Sequence, residues 1–136
     1  MSKNIPNKTN VVCVKVSNLR KIGYKNLEEW LASPNNIYTG RHGRIFITEN
    51  GVSRYFAYKG TKWQNPYSLK HYSLRESLIL YVYHLLKSNL IYDIDELRGK
   101  NLGCFCTTHH QNSIPTCHAQ VLADLLDKCY ELVRKI

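Results

Sequence analysis

Val11 to Val16 reads Val-Val-Cys-Val-Lys-Val, β-branched and apolar at almost every position. Such a strand has no polar face to give to water, so it needs cover on both sides, as in a parallel sheet packed between helices. A second short apolar run, Leu102-Gly103-Cys104-Phe105-Cys106, follows the breaker Arg98-Gly99-Lys100. Ile37-Tyr38-Thr39, ending at Gly40-Arg41, is a third strand candidate. Parallel strands need crossovers long enough to hold helices, and the intervening segments carry helical signals.

Ser17 to Lys25 reads as a basic connection, after which Asn26 is placed to cap a short helix with Glu28 and Glu29 in its first turn. Ser33-Pro34-Asn35-Asn36 stops that helix. Ser73-Leu74-Arg75-Glu76 is a capping box opening a helix to about Asn89, with Leu78, Tyr81, Val82, Leu85 and Leu86 as its buried stripe. Asp93 to Leu97 reads as a short helical turn. A last helix is expected from Thr116 or Cys117 to about Lys135, with Cys129 in its apolar face. His42 to Tyr58 has the alternation of a β-hairpin turning at Asn50-Gly51. Together these predict an α/β fold: a small three-layer sandwich with a mostly parallel central sheet, an added β-hairpin that makes it mixed, and a long C-terminal helix. The polar stretch Met1 to Asn10 reads as a disordered tail, and residues 11–136 as a single α/β domain.

Composition narrows the function classes. No apolar run reaches the length of a membrane span, and Met1-Ser2-Lys3-Asn4 leads into a polar segment rather than a signal sequence. The expectation is an intracellular protein, in the cytoplasm or in a host cell, with no membrane partner. Five cysteines, an odd number, fit a reducing compartment and argue against a disulfide framework. A formal charge of +9 suits a polyanionic partner, a nucleic acid or a phosphorylated small ligand, and equally serves solubility.

Chemistry-bearing side chains gather late in the chain. Cys104 and Cys106 share one face of a strand, and Cys117-His118 stands where the last helix begins. Ligands collect where strands end in open α/β sheets, and a helix N-terminus favours anions and lowers thiol pKa values. Three readings remain open. Cys104, Cys106, Cys117 and His118 offer the donor types zinc takes, with His109 and His110 as substitutes in the loop between. Alternatively Cys106 or Cys117 is a nucleophile with His118 as acid or base. Or the thiols are packed core residues, the reading also given to Cys13. Arg41, Arg44, Lys62 and Arg98 are candidates for anion contacts. In the loop Gly60 to Tyr67, Trp63 and Tyr67 are candidates for stacking on a base and Asn65 for ligand binding, or else for packing the loop down.

The ordered motifs resemble one family. Val16-Ser17-Asn18-Leu19-Arg20, Tyr38-Thr39-Gly40-Arg41, Thr61-Lys62-Trp63-Gln64-Asn65-Pro66-Tyr67, Leu97-Arg98-Gly99-Lys100, Cys104-Phe105-Cys106 and Cys117-His118 match in sequence order. The chain resembles the uncharacterised domain of unknown function 4326, found in bacteria, phages and large DNA viruses. Two segments look longer than in typical members: Arg41 to Thr61, and Cys106 to Cys117. The resemblance implies a small α/β domain in which Trp63, Asn65, Cys106, Cys117 and His118 act at one site, and it names no ligand.

The functional expectation is a basic intracellular binding domain holding a phosphate-bearing ligand, a nucleotide or nucleic acid, near the Cys/His cluster at the strand ends. The alternatives are a cysteine- or zinc-dependent enzyme on a nucleotide-like substrate, and a structural or virus–host interaction protein without a small ligand.

Overall fold

The computed structural model describes residues 8–105 and 117–134, with side chains as far as Lys128. Three strands form an all-parallel sheet: β1 (Asn10–Cys13), β2 (Asn36–Tyr38) and β5 (Asn101–Cys104), in the order β1-β5-β2. The central strand pairs Val11 with Leu102 and Leu102 with Ile37, then Val12 with Gly103 and Gly103 with Tyr38. Because side chains alternate along a strand, the first row faces one layer and the second row the other.

The first layer holds α3 (Leu74–Lys87), the 3-10 helix Leu90–Leu97 and α4 (His118–Arg134). Tyr81, Leu85, Leu97, Leu122 and Leu126 pack with Leu102, Cys104, Cys117 and Trp63 in one core. The second layer holds α1 (Val16–Lys21), α2 (Leu27–Leu31) and the inner face of the hairpin β3 (Gly43–Glu49) and β4 (Val52–Tyr58). Leu19, Leu27, Trp30 and Tyr38 form its core, with Ile45, Phe56 and Phe105 against them. Gly103 sits where Trp30 crosses the sheet: a Cβ there would stand 2.5 Å from the Trp30 ring and 2.7 Å from Val14.

The local signals act as expected. Asn26 accepts the Glu29 backbone N–H, and the Ser73/Glu76 capping box closes in both directions. Asn50 and Gly51 turn the hairpin at φ of 54° and 79°, the left-handed region their two-residue loop requires.

Four expectations need correction. The hairpin is a separate two-stranded antiparallel sheet, so the central sheet is parallel rather than mixed. Residues 16–21 form α1 rather than a connection; Lys15 is its N-cap, and Asn18 donates to the Cys13 carbonyl. Val16 therefore leaves the strand despite its β-branched side chain. Leu86 is 56% exposed, so α3 buries a narrower stripe centred on Tyr81 and Leu85. At the amino end the strand starts at Asn10, and Thr9 is buried, accepting from Gly99 N–H and donating its own N–H to Asp127.

Candidate functional site

In a parallel sheet all strands end on the same side, and here that side carries a hollow of about 400 Å³, within the size range of small-ligand pockets. Its wall includes Tyr38, Arg41, Asn65, Tyr67, Ser77, Cys104, Phe105, Cys117 and His118. They arrive from several elements. Tyr38 ends β2, Cys104 ends β5, His118 opens α4, Ser77 lies in the second turn of α3, and Arg41, Asn65 and Tyr67 come from the segments flanking the hairpin.

His118 is fixed through its ring. Its Nε2 lies 2.7 Å from the Thr39 carbonyl oxygen, which can only accept, so Nε2 carries the hydrogen and Nδ1 is the basic nitrogen. The Tyr81 ring meets it edge-on at 5.0 Å. Burial pushes the imidazole pKa below its ordinary value, and the bond to Thr39 opposes that shift without cancelling it. The ring is thus neutral at pH 7. The Cys104 and Cys117 sulfurs belong to the lining of the same hollow, both buried and 3.7 Å apart, well beyond disulfide bonding.

The aromatic-amide loop is tied down by its polar groups. Asn65 accepts the Tyr67 N–H through Oδ1 and donates through Nδ2 to Ser77 Oγ, while Ser77 donates to the Tyr67 carbonyl. Tyr81 Oη donates to the Trp63 carbonyl at 2.7 Å. Arg41 donates from Nε and Nη2 to the Asn65 carbonyl, which sets an exposed guanidinium at the rim. Tyr38 Oη donates to the Arg41 carbonyl, and its pKa is raised chiefly by burial, so it stays a neutral phenol.

Of the residues expected to bind a ligand, Arg41 and Asn65 reach the hollow; Asn65 does so with its amide already committed to the loop. Trp63 does not: it is 2% exposed within the α3–α4 core, so it cannot stack on a base. Tyr67 is the loop aromatic that reaches the cavity. Lys62 is turned to Asp93 and Glu96, whose bonds raise its pKa, and lies over the Trp63 ring. Arg98 precedes β5 and so stands at the amino end of that strand, bonded to Asp95 and the Leu126 carbonyl, away from the hollow. Tyr81 donates to the Trp63 carbonyl and packs edge-on against His118, so the loop and the Cys/His cluster do meet. Cys106, His109 and His110 fall outside the described residues. Among the described residues no three His, Cys, Asp or Glu side chains are grouped to hold a metal, and none of the helices is long and apolar enough to cross a membrane.

Sequence reasoning missed a larger cavity of about 840 Å³ on the other side of Phe105, between α1–α2 and the hairpin. Lys15, Arg20 and Lys25 line it with Tyr24 and Asn26. Their signal was present in the basic stretch after β1. Phe105 lines both hollows and packs against Tyr38 and Tyr58, so an aromatic wall divides them.

A three-layer parallel α/β domain with a ligand-sized hollow at its strand ends is the class the geometry defines. Within that class the family model for the domain of unknown function DUF4326 matches residues 22–128, and the chain belongs to that family. It is similar to an uncharacterized protein of Acanthamoeba polyphaga mimivirus, 37% identical over 79 residues, which cover 55% of this chain and 57% of the relative. No solved structure matches.

Proposed function

We propose that the chain is a binding domain for a small phosphate-bearing ligand of the nucleotide class, seated at the carboxyl ends of the parallel strands. The observation that carries this is the convergence of Arg41, Tyr67 and His118 on one hollow at that edge. Arg41 spends two N–H groups on Asn65 and has others for a phosphate oxygen. Tyr67 offers a ring to the base, and the neutral His118 and the thiols form a floor with no carboxylate among its described lining residues. Calorimetric titration of the full chain with nucleoside diphosphates, each against its unphosphorylated nucleoside, tests this. The diphosphate binds, the nucleoside binds at least tenfold more weakly, and Arg41→Gln erases the difference. Equal affinity for the two, or none for either, overturns the proposal.

A second reading is favoured by one distance. Two sulfurs on a tetrahedral zinc with bonds of about 2.3 Å stand about 3.8 Å apart, and Cys104 and Cys117 stand at 3.7 Å. On this reading the thiolates hold zinc, which would supply a Lewis acid for an enzyme acting on a nucleotide-like substrate. Elemental analysis of chain purified without chelator decides it: stoichiometric zinc that is lost in Cys104→Ser supports it, and metal-free protein sinks it.

A further inference from the structure

The two faces of the hairpin have opposite characters. Ile45, Ile47, Phe56 and Tyr58 turn inward to the core. On that same face Arg54 meets Glu49 and Glu28, so the ribbon's carboxylate and its ion pairs all lie on the inner side. The outer face carries Arg44, Phe46 and Thr48 on β3 and Ser53, Tyr55 and Ala57 on β4, as the pairings Arg44–Ala57, Phe46–Tyr55 and Thr48–Ser53 require. Phe46 and Tyr55 stack at 4.1 Å with 28° between their planes, and the Arg44 guanidinium lies over the Tyr55 ring at 5.4 Å.

A cross-strand aromatic pair by itself stabilises a ribbon. Its exposure is what that role leaves unexplained: Phe46 is 63% and Tyr55 62% exposed, with no carboxylate on their face. Arg44 has no ion pair among the described residues. At the root of the hairpin stand two more exposed cations without carboxylate partners among the described residues, Arg41 and Lys59. Their backbone segments run side by side, because Gly60 lies against the backbone of Gly40 to His42, where a Cβ would meet His42 N at 2.8 Å. An aromatic stack edged by arginine and continued by cations is the chemistry that takes unstacked bases and their phosphates.

We propose that the outer face of the β3–β4 hairpin docks single-stranded nucleic acid, with bases stacking on Phe46 and Tyr55, phosphates meeting Arg44, and the strand leading past Lys59 and Arg41 toward the strand-end hollow. The contacts on Phe46, Tyr55 and Arg44 lie outside that hollow and act whether or not a free nucleotide binds there.

The test is fluorescence anisotropy of the full chain with labelled 12-nucleotide oligothymidylate and oligouridylate, which separate DNA from RNA, and with a duplex of equal length. The single strands bind more tightly than the duplex, and affinity falls as salt rises from 50 to 200 mM. Phe46→Ala with Tyr55→Ala weakens single-strand binding on the order of tenfold or more, in keeping with the worth of a base–aromatic stack. Phe46→Leu with Tyr55→Leu keeps apolar cover on the ribbon but removes both π faces, and gives a loss of the same sense with an unchanged circular dichroism spectrum. Arg44→Gln lowers the slope of log affinity against log salt by about one. Wild-type affinity in the folded leucine variant overturns the proposal, as does salt-independent binding. It is equally overturned if the face mediates self-association, seen as a concentration-dependent mass in light scattering that the leucine variant abolishes while no oligonucleotide binds. Nucleoside diphosphate titration of the leucine variant keeps the two sites apart, since the strand-end hollow is intact in it.

Discussion

His118 shows how one side chain acquires its chemistry from its surroundings. The Thr39 carbonyl selects the tautomer, the Tyr81 ring excludes water, and the outcome is a neutral imidazole with Nδ1 as its basic nitrogen. A folded-state pKa below the unfolded value of about 6.5 means that the unfolded chain takes up the proton first as pH falls. The stabilising contribution is therefore present in full above that value and is lost progressively below it. Urea midpoints of the wild type should fall between pH 7 and pH 5 more steeply than those of His118→Gln, whose amide still donates to Thr39. Parallel curves would show that His118 does not carry the pH dependence. Gly103 is a second such case. Gly103→Ala drives a methyl into Trp30 and Val14, both fully buried, and overpacking at such a site costs about 1–3 kcal/mol. Denaturant titration should show that loss, with a native-like spectrum in the surviving fold.

Between elements, loop-to-helix bonds hold the hollow open. Asn65 joins the Tyr67 backbone to Ser77 on α3, and Tyr81 on the same helix holds the Trp63 carbonyl. Asn65→Ala leaves the Tyr67 N–H and Ser77 short of partners, at about 1–3 kcal/mol; residue 65 keeps the backbone carbonyl that anchors Arg41, but the loop carrying that carbonyl loses its tie to α3, so stability and nucleotide affinity should fall together in one variant. Elements whose signals are local were legible: the capping box at Ser73, the Asn50-Gly51 turn, and the apolar strands of the parallel sheet. What depended on distant partners was not. Trp63 reads equally as a base-stacking aromatic or as packing for its loop, because its neighbours in sequence are polar; its ring is claimed by helices encoded downstream. Lys62 reads as an anion contact until Asp93 and Glu96 fold onto it. Val16 continues a β-branched run and still begins α1. Arg98 was decidable in advance: a residue before a strand lies at its amino end, and ligands gather at the other.

For the molecule as a whole, a formal charge of +9 makes stability respond to salt in two separable ways. Excess positive charge strains the compact state by self-repulsion, so raising sodium chloride from about 20 to about 200 mM, which shortens the Debye length severalfold, should raise the melting temperature of the ligand-free chain. A phosphate seated at Arg41 adds a separate term, because any ligand that binds only the folded state stabilises it by mass action. Phosphate also stabilises proteins generally by its exclusion from their surfaces, so a higher melting temperature in phosphate proves nothing alone. The difference between wild type and Arg41→Gln isolates the site, since exclusion and screening act on both. At equal ionic strength, replacing chloride by phosphate should raise the wild-type melting temperature further than that of the variant, while chloride alone moves the two in parallel. Identical responses in both solutions would leave the charge serving solubility and remove Arg41 from the recognition of phosphate.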